Sequence, residues 1–210
     1  MVSSLKRENR TKLYVVMAVN LTLFYGLLKG PELVAGNWLA AFRDPIQVLP
    51  AGLGLILMGI MNSQFSADTK SRIVFLRYKN PLPGCEAFTR YAHSDHRVDL
   101  SALEKQHGPL PTDPKAQNVL WYKLYKAVEA EPSVTETQRS FLFARDYACI
   151  ALIMFFVLGT AAFFLTVPMK AKLVYIMVLF LQFVFAGRAA RHDGRRFVSN
   201  VLVINSSRLQ

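Results

Sequence analysis

The chain has 210 residues, a formal net charge of +11 and apolar side chains at 52% of its positions. A charge of this size suggests nucleic acid, but the excess of lysine and arginine lies in the two terminal segments, next to apolar runs. Basic residues in such positions set membrane topology and contact anionic headgroups. The distribution therefore argues against a nucleic-acid-binding protein. The only two cysteines, Cys85 and Cys149, call for no disulfide.

Four apolar runs at residues 13–28, 46–67, 147–169 and 173–187 contain no Asp, Glu, Lys, Arg or His. Runs of this kind form helices in hydrocarbon, because each unsatisfied backbone polar group there costs several kcal/mol. The second and third runs reach the roughly 20 residues that a span needs, and flanking basic side chains extend the two shorter ones by snorkelling. We predict a mainly α integral membrane protein with four spans, the first of which is retained rather than cleaved.

The runs divide the chain into three parts. Residues 1–67 hold an N-terminal tail and spans 1 and 2, residues 68–146 form a small and mostly helical domain, and residues 147–210 hold spans 3 and 4 with a basic C-terminal tail. Four spans place the tails and the 68–146 domain on one side of the membrane, with 21 basic residues, against four on the other side. The positive-inside rule then predicts a multi-pass protein of the cell inner (plasma) membrane with both termini cytosolic.

Capping signals predict the helices of the 68–146 domain. Ser101 and Glu104 match a capping box for a short helix that ends at Gly108, and Asp113 followed by proline predicts a second helix over residues 114–130. Ser133 and Glu136 match a further capping box. No breaker follows until Pro168, so one helix is expected over residues 134–167, joining the domain to the third span.

Two runs rich in β-branched and aromatic residues, at 71–78 and 197–204, suggest a two-stranded ribbon. The first of them also fits a continuation of the second span.

Few polar groups lie inside the spans. Asn20 and Gln182 are expected to hydrogen-bond across helices, because lipid offers an amide no partner. Gly52, Gly54 and Gly59 predict close helix packing in the second span, either within the bundle or at a seam between the copies of a homo-oligomer.

The densest polar cluster of the chain is His93-Ser-Asp95-His96, with Asp99 and His107 nearby. Two histidines and a carboxylate are possible ligands for a divalent metal, but the spacing does not place them on one helical face. Solvated loop histidines are the simpler explanation of the cluster, and we therefore expect no metal, no cofactor and no catalytic residue.

Trp121, Tyr122 and Tyr125 broaden the apolar face of the 114–130 helix and form a candidate partner-binding face. The leading hypothesis is a non-enzymatic membrane component whose cytosolic domain binds a protein partner. This layout is similar to membrane subunits of bacterial multi-protein systems, such as defence effectors and secretion or conjugation machinery. Two alternatives are an oligomeric channel gated by the cytosolic domain, and a membrane-embedded lipid-acting enzyme that uses the His93–His107 cluster.

Overall fold

The computed structural model describes residues 2–36 and 49–208, and every regular element in these ranges is helical. The helices of two or more turns are α1 (Val2–Val34), α2 (Leu49–Gln64), α3 (Ala67–Phe75), α4 (Leu100–His107), α5 (Pro114–Val128), α6 (Pro132–Phe163) and α7 (Met169–Ser207). Between α3 and α4 the chain forms a 3₁₀ turn (Pro83–Glu86), a π-helical turn (Ala87–Tyr91) and one α-helical turn (Ala92–Ser94).

Local capping explains where α4 and α5 begin. The Asp113 carboxylate accepts a hydrogen bond from the Ala116 amide at 2.9 Å and proline follows it, which confirms the predicted start of α5. The N-cap of α4 was predicted two residues too late. Asp99 caps this helix by accepting from the Ala102 amide at 3.0 Å, and Ser101 donates its hydroxyl to the same carboxylate. Gly108 ends α4 with a φ of 75°.

The long helix predicted over residues 134–167 is confirmed as α6, with bounds of Pro132–Phe163. It begins earlier than the proposed Ser133 capping box, because proline lacks the N–H that the first helical position leaves unused. Ser133 therefore lies inside the helix, where its carbonyl accepts from the Thr137 hydroxyl. At the other end, the amides of Phe164 and Leu165 donate to carbonyls three residues earlier, and the last turn tightens.

The predicted two-stranded ribbon is wrong, because neither of its runs contains a strand. Residues 71–75 belong to α3, and residues 197–204 lie within α7. Within residues 197–204 the buried apolar side chains are those of Phe197, Val198, Val201 and Leu202. Their spacing of three and four residues buries one side of a helix, and this packing overrides the strand preference of the β-branched residues.

The described residues form two units. The first comprises the chain up to Ser66 and Asp146–Ala186, and the second comprises Ala67–Arg145 and the chain from Gly187 onward. Helices α6 and α7 each contribute residues to both units. The C-terminal residues that the sequence analysis treated as a tail therefore belong to the second unit.

The first unit contains the apolar helices. Three described helical stretches are long and apolar enough to cross a membrane: Asn9–Gly30 of α1, α6 and α7. The described part of α2 has 16 residues, and residues 37–48 before it lie outside the described ranges. The interior of the unit is closely packed, with Met17 and Leu179 each 1% exposed. Large apolar side chains point outward, among them Phe156, Phe180 and Phe185. Such an arrangement is compatible with a multi-pass membrane protein.

The second unit has a core of aromatic rings from four helices. The Phe141 ring of α6 stacks on the Phe197 ring of α7 with centroids 6.2 Å apart, and Phe75 of α3 lies 6.3 Å from Phe141. On the other side of Phe197 are the rings of Trp121 and Tyr125 from α5, at 5.3 and 5.5 Å. Edge-to-face and offset ring pairs at these distances stabilise a core beyond the area that they bury.

Candidate functional site

Gln182 and Tyr147 form a polar contact between α7 and α6 in the first unit. The Gln182 Nε2 group donates to the Tyr147 hydroxyl at 2.9 Å. The side-chain carbonyl of Gln182 is buried without a hydrogen-bond partner among the described residues. The same holds for the hydroxyl of Tyr175, which lies two turns earlier on α7. The first unit therefore encloses polar atoms that the described side chains do not satisfy.

Asn20 lies inside the first unit and is 3% exposed. Its Nδ2 group donates to the Val16 carbonyl of its own helix at 2.9 Å. This bond satisfies the amide within its own helix and joins no second helix. Asn20 therefore contributes to packing through its burial more than through this bond.

Of the three glycines predicted to allow close packing on α2, the structure describes the surroundings of Gly59. A Cβ placed on Gly59 would lie 3.5 Å from the Tyr14 hydroxyl of α1, an ordinary van der Waals distance. Gly59 thus allows α1 and α2 to approach. The surroundings of Gly52 and Gly54 lie outside what the structure describes at side-chain level.

The histidine cluster is dispersed over an exposed surface. His93, His96 and His107 are exposed, and the Asp95 carboxylate accepts two hydrogen bonds from the Arg97 guanidinium, at 2.8 and 2.9 Å. These bonds hold the pKa of Asp95 below its usual value. No group of three His, Cys, Asp or Glu side chains in the described ranges is placed to hold a metal ion. Asp99 is the N-cap of α4.

Cys85 is 5% exposed, and burial raises the pKa of its thiol. A thiol in this environment is inert at neutral pH as long as the unit stays closed.

The three residues proposed as a partner-binding face have different environments. Trp121 and Tyr125 are 7% and 5% exposed, because they pack on Phe197 of the same chain. The Tyr125 hydroxyl also accepts a hydrogen bond from Gln138 on α6 at 2.9 Å. Tyr122 is 51% exposed, and its ring lies beside that of Tyr125 with centroids 5.8 Å apart. The sequence shows the apolar side of α5, but not that another helix of the chain covers it.

The turns of α7 that follow its apolar run carry a basic side, where the sequence predicted a tail. Arg188, Arg195 and Arg196 are exposed, and Arg191 is half-buried with its Nε donating to the Gly187 carbonyl at 3.2 Å. Arg191, Arg195 and Arg196 follow Arg188 by three, seven and eight residues, which places the four side chains on the same broad side of the helix. The opposite side of the same turns, with Ala190 and Gly194, is buried in the second unit.

Comparison of the chain with protein-family models, with curated proteins and with solved structures found no match.

Proposed function

We propose that the chain is a non-enzymatic component of a bacterial inner-membrane multi-protein system, in which a cytosolic helical unit binds a protein partner and a bundle of four spans anchors it. The observation that carries this proposal is the division into two units with separate cores. The first has outward-facing side chains that are large and apolar, and the second has an aromatic core beneath a charged surface. A lipid-facing unit joined to a water-facing one is the layout of a membrane-anchored binding module.

The proposed fourth span is α2. Its 16 described residues, from Leu49 to Gln64, are uniformly apolar apart from the end of the helix, and the apolar run begins at residue 46. With this span included, the chain crosses the membrane an even number of times and the second unit shares the side of both termini.

The distribution of basic residues supports the cytosol as that side. The arginines on the exposed side of α7 directly follow an apolar run that ends at residue 187. At 1.5 Å per residue they would extend about 12 Å from the hydrocarbon edge, which covers the headgroup layer. Anionic headgroups are therefore the proposed lipid partners of this side of α7, and they hold the second unit at the membrane surface.

Helix α6 is the proposed mechanical link between partner binding and the membrane bundle. It remains helical from Pro132 to Phe163 and passes from one unit to the other between Arg145 and Asp146. A continuous helix transmits displacement along its axis, whereas a break dissipates it. Arg145→Pro would remove one backbone hydrogen bond and clash with the preceding turn, at a cost of about 3 kcal/mol or more.

The experiment combines purification with these variants. The detergent-solubilised wild type, Arg145→Lys and Arg145→Pro are isolated from their native cells at equal membrane levels, and stably bound soluble proteins are quantified together with the cellular phenotype. The expected result is one stoichiometric soluble partner retained by all three forms, with the phenotype lost only in the proline variant. A preparation with no stoichiometric soluble partner would refute the binding module. Full activity of Arg145→Pro would refute the mechanical link.

A second candidate function, an oligomeric channel, is favoured by the buried polar atoms of the first unit. The Gln182 carbonyl and the Tyr175 hydroxyl are costly in a dry apolar interior, and water supplied by a pore would satisfy them. Reconstituted protein that conducts ions, with conductance changed by Gln182→Leu, would replace the first proposal with this one.

A further inference from the structure

One side of α5 is exposed and combines lysines with two apolar side chains. Its members are exposed residues at positions 115, 119, 122, 123 and 126, namely Lys115, Val119, Tyr122, Lys123 and Lys126. At 3.6 residues per turn these positions fall within an arc of about 100° and extend over about 16 Å, or three turns. We call this surface the lysine–tyrosine face.

The main core contacts of α5 come from the side of the helix away from Lys115, Val119 and Lys123. The opposite side of α5 supplies the contacts that hold the helix in the second unit, including the ring contacts of Trp121 and Tyr125 with Phe197. On that same side the buried Gln117 accepts hydrogen bonds from the Phe88 and Thr89 amides of the π-helical turn. Changes at Lys115, Val119 and Lys123 therefore leave these core contacts intact, whereas the Tyr122 ring also lies 5.8 Å from the Tyr125 ring.

Two apolar side chains remain in water at the centre of the face. Val119 is 57% exposed and Tyr122 is 51% exposed, one turn apart and flanked by lysines at both ends. Scattered exposed apolar residues need no explanation, but an aromatic ring and a valine on adjacent turns form a small contiguous patch. Tyrosine also supplies large contact area at little entropic cost, which makes it a common anchor of interfaces.

The charge on the face has one sign. Lys115 and Lys123 carry two positive charges, and Lys126 adds a third that contacts Glu129 at 2.7 Å and lies 5.9 Å from the centre of the Tyr122 ring. The partner's matching side must then carry carboxylates around an apolar centre. Nucleic-acid and lipid phosphates would match the lysines, but a protein helix presents both carboxylates and apolar side chains at the three- and four-residue spacing of this face.

We propose that the lysine–tyrosine face binds an acidic amphipathic helix, about three turns long, of a protein partner. The apolar side of that helix covers Val119 and Tyr122, and its carboxylates pair with Lys115, Lys123 and Lys126. Helix-on-helix docking of this kind places anchors at three- and four-residue spacing, which is the spacing of the face. This inference rests on the proposed partner-binding function and assigns its surface and the chemistry of the partner.

The test uses the full chain in nanodiscs of neutral lipid as the target for a displayed library of helical 14-residue peptides with unbiased charge. The enriched peptides are expected to be acidic and amphipathic and to bind more weakly as salt is raised. Binding is then measured on Lys115→Glu/Lys123→Glu and on Tyr122→Ala. The matched control is Lys105→Glu, a charge reversal at an exposed position of α4.

The proposal expects the double reversal to weaken the acidic peptides by more than about tenfold, because like charges then face each other. It expects peptides with Glu→Lys exchanges to bind the reversed protein and not the wild type. Tyr122→Ala should weaken binding as well, and Lys105→Glu should leave it unchanged. Enriched peptides without acidic bias, or acidic peptides that ignore the double reversal, would overturn the assignment.

Two further outcomes separate this inference from the proposed function. If the soluble partner isolated from native cells stays bound to Lys115→Glu/Lys123→Glu and to Tyr122→Ala, the assigned surface is wrong while the binding module stands. If the lysines instead govern binding to phosphatidylglycerol vesicles and no acidic peptide is enriched, the face contacts lipid and the inference fails.

Discussion

Gly194 of α7 is tightly packed between two rings of the second unit, and it provides a sharp test of the core. A Cβ built on Gly194 would lie 2.8 Å from Phe75 Cζ and 3.0 Å from Phe141 Cε2. Neither ring is free to move away, because Phe75 packs on Phe141 and Phe141 stacks on Phe197. The added methyl group of Gly194→Ala therefore has to displace three helices that meet at this point.

The same helix offers a matched control. A Cβ on Gly187 would meet only the Arg191 guanidinium at 3.7 Å, an ordinary contact with the end of a flexible side chain. Replacing glycine by alanine inside a helix gains up to about 1 kcal/mol in both variants. Overpacking of a core costs about 1–3 kcal/mol and applies only at Gly194. Subtracting the two variants removes the helix-propensity gain and leaves the packing cost, about 1–3 kcal/mol.

Cys85 reports the opening of the second unit. Its buried thiol, with a raised pKa, reacts with an alkylating agent only when the unit opens, and mass spectrometry separates its peptide from that of Cys149. When reclosing is faster than labelling, the labelling rate follows the open population. A difference of about 1–3 kcal/mol corresponds to roughly 5–150-fold faster Cys85 labelling in Gly194→Ala than in Gly187→Ala. Equal labelling rates in the two variants would show that Phe75 and Phe141 do not pack around Gly194 as described.

Three further predictions concern a cap, a span contact and topology. Asp113→Ala should cost about 1 kcal/mol and speed amide exchange in the first turn of α5, whereas Asp113→Asn retains the cap. Tyr147→Phe removes the acceptor of Gln182 and should lower stability in detergent by only about 0.6 kcal/mol, seen as a small shift of the thermal unfolding midpoint. A reporter active only outside the cytosol should be silent when fused at Gln210 and active in the 30–44 loop; the reverse pattern would invert the proposed orientation.

The parts of the fold that the sequence predicts correctly are those set by neighbouring residues. Asp113 followed by proline starts α5, because the carboxylate and the missing N–H act on the first turn itself. The continuity of α6 follows from the absence of proline after its first residue, Pro132. Even the misplaced start of α4 is a local matter, since Ser101 and Asp99 compete for the same role and the carboxylate wins as the stronger acceptor.

The parts that the sequence predicts wrongly or incompletely depend on contacts between distant segments. Residues 197–204 resemble a strand by composition, and only the rings that they meet on α5 and α6 show that one side of a helix is needed there. The periodicity of α5 shows that Trp121 and Tyr125 share an apolar side. Which surface covers that side is a property of the folded chain, so periodicity alone could not tell a core from a docking site.

These two errors are related, because the apolar side of α5 and the apolar side of residues 197–204 cover each other. An exposed helix with Trp121 and Tyr125 in water would lose about 1.5–3 kcal/mol per large side chain relative to burial, and so would a solvated C-terminal segment that carried Val201 and Leu202. Neither segment is stable alone in the form that its sequence first suggests. Packed together, the two segments bury both apolar sides, and the Phe197 ring of α7 contacts the Tyr125 ring of α5. Because that side of α5 is occupied within the chain, the surface that we propose for a partner is the one where Tyr122 and the lysines are exposed.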